Sequence, residues 1–298
     1  MKKAYIFPGQ ASQFVGMGKG LYDSHPESKE LINRADEILG YKLSEVMFNG
    51  PEDTLKQTKI TQPAVFLHSM LVYNARDKQD LPDAVAGHSL GEITALTVAD
   101  VLSFEEALLL VQKRADAMQE ACEKNPGTMA AILGLDDEKV VEVCQSISDI
   151  VIAANFNCPG QLVISGSTEG IEKAMKACSE AGARRALPLV VGGAFHSPLM
   201  EPAVSIFKEA IEKVPFKDAA FPVYQNVNAL PQSAANVLKD QLVEQITSPV
   251  RWTQTIQNMI SDGFGSFVEI GGKGKILAGM VRKISRQVDM LSWSEDNA

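Results

Sequence analysis

Apolar positions along this chain follow two periods, and the switches between them outline its elements. The run "AYIF" at 4–7 stops at a Pro-Gly turn, which predicts a strand ending in a loop. Three- and four-residue spacing then predicts helices over roughly 28–39 and 62–76. "DAVAGHSLGEITALTVA" predicts a strand at 83–87, a sharp turn, and a helix from about 90. In "SFEEALLLVQKRADAMQEAC", Ser103 and Glu106 stand three apart as a capping box at the head of a long amphipathic helix.

From about residue 125 the rhythm changes. "GTMAAILGL" predicts a strand, 136–147 a helix, "DIVIAANFN" and "GQLVISG" two strands, 168–181 a helix and "RRALPLVV" a last strand. That βαββαβ order is the order of a ferredoxin-like unit. "KNPG" and "VGGAF" flank it as glycine-bearing joints of the kind that tie an insertion to its host. The chain returns to helix at about 197–214, then to strand and helix around "GSFVEIGGKGKILAGMVRKI". The expected architecture is an α/β-hydrolase-like body with a parallel sheet, made of 1–124 and 193–298. It carries an inserted ferredoxin-like small subdomain at 125–192. An open α/β sheet offers its reactive loops at the carboxyl ends of its strands, where "FPGQ" and "GHSLG" both fall.

Composition narrows the function classes. With 298 residues and 45% apolar content the chain can bury a large core. A net charge of −9 argues against nucleic acid or an anionic membrane as the main partner. No apolar run approaches the length of a membrane helix, and the N-terminal run is too short for a signal-peptide core. Cys122, Cys144, Cys158 and Cys178 form no C-x-x-C, which fits a reduced cytoplasmic protein rather than a disulfide scaffold or zinc site. Cys158 reads better as a buried structural thiol than as a reactive one. "GGKGKIL" invites a phosphate-loop reading. It fails because Phe267 and Glu269 stand where the motif needs glycine. No metal-binding motif occurs.

The candidate chemistry centres on "GHSLG", where Ser89 lies between Gly87 and Gly91 as G-x-S-x-G. With 22 glycines such a match arises by chance in roughly one chain of this size in ten, so the motif alone does not decide. A serine nucleophile needs a general base, usually histidine. His88 adjoins Ser89 in the chain and should point away from it. His25 reads as a surface residue at a helix start, and His68 as packed or half-exposed within a helix. His196, in "VGGAFHSPLM", lies in a loop and is either the base or a helix-start histidine. No aspartate occupies a comparable loop to orient it, although a main-chain carbonyl could do so.

"FPGQASQ" at 7–13, "TQPA" at 61–64, "GHSLGE" at 87–92, "QKRADAMQ" at 112–119, "AFHSPLM" at 194–200 and "SPVRW" at 248–252 occur in the order seen in malonyl-CoA:acyl carrier protein transacylases. The chain resembles the stand-alone bacterial type over nearly its whole length. The resemblance implies that Ser89 carries the acyl group as an ester and that His196 is its general base and acid. It implies that the Gln245 carbonyl orients His196, and that the backbone N–H groups of Gln10 and Leu90 form the oxyanion hole. Arg114 would bind the free carboxylate of the malonyl group. Gln62, Phe195 and Asn157 would line the pocket, Phe195 matching the malonyl-type signature.

The implied substrates are malonyl-CoA and phosphopantetheinylated acyl carrier protein, with no bound cofactor and a monomeric state. Arg114 and the missing acidic partner lean against an esterase or thioesterase. The pairing of Ser89 and His196 leans against a silent carrier-binding module. Docking an acidic carrier predicts a basic patch, either Arg184 and Arg185 or Lys273, Lys275, Arg282 and Lys283. Two departures stand out. Ala11 replaces a glycine common in the family, which alanine tolerates outside positive φ, and Gly193 replaces a histidine.

Overall fold

Alternation along the first strand decides which core each residue joins. Tyr5 and Phe7 enter one buried apolar cluster, whereas Ala4 and Ile6 enter another on the opposite face. A strand covered on both faces reads as an unbroken apolar run, which is why "AYIF" carries no polar alternation.

The structure is a computed structural model that describes residues 1–76 and 80–297. Its strands, in chain order, are β1 (Lys2–Phe7), β2 (Ala84–Gly87), β3 (Thr128–Leu133), β4 (Val151–Cys158), β5 (Gln161–Gly166), β6 (Arg185–Pro188), β7 (Val223–Tyr224), β8 (Pro231–Gln232), β9 (Phe264–Ile270) and β10 (Asp289–Trp293). Six form one sheet in the order β10-β9-β1-β2-β7-β8. Within it β10, β9, β1, β2 and β7 run parallel, and only β8 is antiparallel. Helices Thr58–Ala75, Gly91–Val98, Phe104–Lys124 and Glu201–Glu212 bury apolar residues with Tyr5 and Phe7. Trp252–Ser261 and Ile276–Ile284 cover the face of Ala4 and Ile6.

The other four strands make an antiparallel sheet in the order β4-β5-β3-β6, which is the ferredoxin-like arrangement. On one face Ala130, Ile132, Leu162 and Ile164 pack against helices Asp137–Ser146 and Thr168–Glu180. From the other face Met129, Ala131 and Val163 join the main core of the body. A backbone seam strengthens this docking: Phe156 N–H donates to the Val250 carbonyl at 2.9 Å, and Val250 N–H donates to Ala154 at 2.8 Å.

The capping box forms as expected, with Ser103 and Glu106 each satisfying the other's backbone N–H at the head of Phe104–Lys124. Other element ends differ from expectation for physical reasons. The helix expected over 62–76 starts one turn earlier, at Thr58, and Pro63 lies inside it. Pro63 has no N–H for the Lys59 carbonyl, and Gln112 Nε2 donates to that oxygen at 3.4 Å. The strand expected over 184–191 ends at Pro188, where pairing with Ala130 stops. The helix expected over 197–214 begins as a 3₁₀ turn, Pro198–Met200, before Glu201–Glu212. Helices Lys19–Ser24, Leu43–Asn49, Glu52–Leu55, Ala235–Glu244 and Trp252–Ser261, and strands β7, β8 and β10, were not anticipated.

The glycine loop before Ile276–Ile284 holds no anion cradle. Glu269 accepts the N–H groups of Leu277 and Ala278 at 3.1 and 2.8 Å, so a carboxylate of the chain already fills that helix start.

Candidate active site

β2 ends at Gly87, and two residues later the chain is already turning into helix Gly91–Val98. Backbones pass so closely there that side chains are shut out. A Cβ on Gly87 would lie 1.9 Å from the Gly91 carbonyl, and one on Gly91 would lie 2.2 Å from the Phe7 carbonyl oxygen. Ser89 occupies the apex at φ 52, a left-handed conformation costly for a residue with a Cβ. The two glycines therefore serve the turn, and the turn presents the hydroxyl.

The base comes from far along the chain. His196 also adopts a left-handed φ, 58, and its Nε2 lies 2.7 Å from Ser89 Oγ. Its Nδ1 lies 2.9 Å from the Gln245 carbonyl. A carbonyl can only accept, so Nδ1 carries the proton and Nε2 accepts from the serine hydroxyl. Burial, joined by the nearby Arg114 guanidinium, pushes the imidazole down to about 3. It is therefore neutral at physiological pH and free to take a proton.

Arg114 is fully enclosed, and its guanidinium is held by amide oxygens. Nη1 donates to Gln62 Oε1 at 2.7 Å, and Nη2 donates to Gln245 Oε1 at 2.9 Å and to Ser89 Oγ at 3.2 Å. Burial lowers its pKa to about 10, so it remains a cation. Among the described residues no carboxylate lies within ion-pair distance of it, and its Nε has no partner. A buried cation beside the nucleophile, held by neutral groups, suits a ligand that brings its own carboxylate.

Two backbone donors flank the hydroxyl. Leu90 N–H follows the nucleophile at the start of Gly91–Val98. Gln10 lies on the loop after β1, where a Cβ on Gly9 would approach the His88 carbonyl oxygen to 2.5 Å. The loop and the elbow thus touch backbone to backbone. Among the described residues neither N–H has a protein acceptor. Gln10 is followed by Ala11 at φ 76, so the position where glycine is common does require the left-handed region. The alanine methyl faces solvent.

Other sequence candidates take varied places. Asn157 bonds the residue before the nucleophile, its Oδ1 2.9 Å from His88 Nε2. His88 thus faces Asn157 rather than Ser89, and burial holds its imidazole below the usual range. Phe195 is buried in the main core. A Cβ on Gly193 would come within 2.3 Å of Cys122 Sγ, so a side chain there would have to displace that thiol. His68 is fully buried and accepts from Gly272 N–H. His25 precedes helix Pro26–Leu39. All four cysteines are free and buried, and burial raises the thiol pKa of each. Among the described residues no group of acidic, histidine or cysteine side chains could hold a metal ion.

Sequence reasoning missed three members of this network. Gln245 contributes its side chain as well as its carbonyl, with Nε2 donating to the Ser89 carbonyl at 3.1 Å. Asn226 Oδ1 accepts the Ser89 N–H, and Glu92 in turn accepts the Asn226 N–H. Glu92 ends the quoted "GHSLGE", so its place one turn past the serine was visible. Asn226 had no local signal.

Residues 4–292 match the acyl transferase domain family. The malonyl CoA-acyl carrier protein transacylase of Bacillus subtilis (strain 168) is 44% identical over 298 residues, covering 99% of this chain and 94% of that protein. A crystal structure of the acyl-carrier-protein S-malonyltransferase of Burkholderia pseudomallei 1710b superposes with a TM-score of 0.94 at 40% identity, covering 98% of this chain and 96% of that one. A type II PKS acyl-carrier protein in complex with its malonyl-transacylase gives 0.94 at 38% identity, with 98% and 96% covered.

Proposed function

This chain belongs to the acyl transferase domain family, among the malonyl-CoA:acyl carrier protein transacylases, and from that premise we propose how its residues divide the reaction. It moves a malonyl group from malonyl-CoA to the phosphopantetheine thiol of holo-acyl carrier protein, supplying fatty acid synthesis. The observation that carries the assignment of roles is the relay Gln245 carbonyl, His196, Ser89, with Arg114 bonded to the same hydroxyl.

Ser89 Oγ attacks the thioester carbonyl of malonyl-CoA while His196 Nε2 takes its proton. The negative oxygen of the tetrahedral intermediate accepts from the N–H groups of Leu90 and Gln10; losing one such donor typically costs ~3–4 kcal/mol. Collapse breaks the carbon–sulfur bond, and the departing CoA sulfur receives the proton from His196. In the second half the carrier's thiol gives its proton to His196 and attacks the Ser89 ester, and the proton returns to Ser89 Oγ. The missing aspartate fits this cycle. Imidazolium forms only transiently, and the malonyl carboxylate offsets the Arg114 charge that otherwise opposes it.

Gln62 and Gln245 hold the guanidinium toward the malonyl carboxylate, which lies two carbons from the reacting carbonyl. Phe195 and Asn157 are assigned to the pocket walls. The catalytic body is assigned to 1–124 and 193–298, with 125–192 as the small subdomain. One chain supplies every group named, so a monomer suffices and no bound cofactor is required. Four free, buried cysteines agree with a cytoplasmic setting. Among the described residues no helix is long and apolar enough to cross a membrane. Arg184, Arg185, Lys273, Lys275, Arg282 and Lys283 are exposed and offer an acidic carrier two basic docking groups.

The test is to incubate the protein with malonyl-CoA and map the malonyl ester by mass. The ester is expected on Ser89, stable in buffer and discharged by holo-acyl carrier protein. Rapid discharge into buffer alone would make the protein a hydrolase.

A further inference from the structure

The Ser89 elbow sits where two parallel strands part company. β2 pairs with β7 at Val85 with Val223 and at Ala86 with Tyr224, and there the ladder ends. Gly87 and Ser89 would next need backbone partners on that side, and the neighbouring chain no longer supplies them in register. A side chain does. Asn226 Nδ2 donates to the Gly87 carbonyl at 2.7 Å, and Asn226 Oδ1 accepts the Ser89 N–H at 2.7 Å. One carboxamide thus offers the donor and acceptor that the next peptide of β7 would have offered.

The carboxamide is itself anchored. Asn226 N–H donates to Glu92 Oε2 at 2.7 Å, and Gln225 Nε2 donates to Glu92 Oε1 at 3.1 Å. Gln245 Nε2 reaches Asn226 Oδ1 at 3.4 Å while also donating to the Ser89 carbonyl. Asn226, Gln225, Gln245 and Glu92 are all fully buried. Four polar side chains have therefore been withdrawn from water to hold three residues of backbone, an outlay that ordinary turn stability does not require.

Consequences for the reaction follow from geometry. Ser89 stands at φ 52, and without the Asn226 bonds the peptides on either side of it could rotate toward ordinary φ. Rotation would swing both Oγ and the Leu90 N–H, the two groups that must face the thioester together. With the Ser89 N–H occupied by Asn226, the oxyanion is left to Leu90 and Gln10.

Building on the transacylase reading, we propose that Asn226 is a positioning residue for acyl transfer: its carboxamide stands in for a strand peptide, locks the Ser89 elbow, and is itself fixed by Glu92. It touches no substrate. It acts on the rate of the step at Ser89 and leaves the Arg114 pocket intact.

The test compares single-turnover malonylation of Ser89, by intact mass over a range of malonyl-CoA concentrations, in wild type, Asn226→Ala and Asn226→Asp. Asn226→Ala should slow the saturating acylation rate by roughly 10²-fold, of the order seen when an oxyanion donor is lost, with the half-saturating concentration within twofold of wild type. Asn226→Asp keeps the acceptor for Ser89 N–H but sets an oxygen against the Gly87 carbonyl, and should fall in between. Glu92→Gln keeps an acceptor for Asn226 N–H and should retain most activity, unlike Glu92→Ala. A parallel measurement of Ser89 labelling by a fluorophosphonate should fall in the same order. Circular dichroism is recorded for each variant at the assay temperature. If Asn226→Ala does not fold, the ranking of Asn226→Asp against Glu92→Gln decides. Either Asn226 variant acylating at the wild-type rate, or losing affinity as much as rate, overturns the proposal. Failure of wild type itself to form the Ser89 ester would instead sink the transacylase reading.

Discussion

Replacing Arg114 by alanine should remove the preference for malonyl over acetyl and also move the pH profile. The buried guanidinium makes three hydrogen bonds, to Gln62, Gln245 and Ser89. A malonyl carboxylate would add charge-assisted bonds that acetyl cannot make, worth ~1.5–3 kcal/mol. That difference corresponds to roughly a tenfold to a few hundredfold drop in the malonyl-to-acetyl ratio of kcat/KM. The second effect comes through His196, whose imidazole is held down to about 3 by burial and then by the Arg114 charge. A base must be neutral to act, so wild-type acylation should stay flat through the mildly acidic range. Without Arg114 the His196 pKa rises, and activity falls from the acid side at a higher pH than in wild type. Arg114→Met, which keeps most of the volume, separates charge from packing and should behave like alanine. Single-turnover acylation with malonyl-CoA and acetyl-CoA from pH 4 to 9 reads both effects. A ratio within twofold of wild type together with an unmoved acid limb would refute this account.

Two further expectations concern backbone conformation. Ala11→Gly relieves a left-handed alanine costing about 1–2 kcal/mol and adds back part of that through a more flexible unfolded chain. The net should be a stabilisation of about 0.5–1 kcal/mol, seen as a Tm rise of roughly 1–3 °C with acylation unchanged. An unchanged or lower Tm would mean that the loop tolerates alanine at no cost. Gly91→Ala, by contrast, drives a Cβ into the Phe7 carbonyl and should destabilise by more than about 3 kcal/mol, with Ser89 labelling lost even in the folded fraction. Full labelling in a stable Gly91→Ala protein would show that the elbow can relax.

How much of this was legible depended on whether the signal was local. The capping box at Ser103 and Glu106, the glycines beside Ser89 and the period-two face of β1 are short-range patterns, each imposed by a contact within a few residues. The pairing of Ser89 with His196 spans 107 positions, and on position alone His196 could not be told from a histidine at a helix start. Asn226 was invisible for a plainer reason. It follows a two-residue strand, too short to show any period, and its partners Glu92 and Ser89 lie more than a hundred residues upstream. The first turn of helix Thr58–Ala75, "TKIT", carries a single apolar residue, too few to show a period.

The strand order also governs how the protein can be made. β1 needs β2 on one side and β9 on the other, and β9 begins about 260 residues later in the chain. At ordinary elongation rates that side of β1 waits roughly 15–50 s for its partner. During that interval a strand whose last four residues, Ala4 to Phe7, are apolar has an open edge. The small antiparallel sheet, whose strands are close in sequence, is complete long before. β1 is therefore among the last strands to be paired on both sides, and a nascent chain stalled before β9 would expose the centre of the sheet rather than its rim.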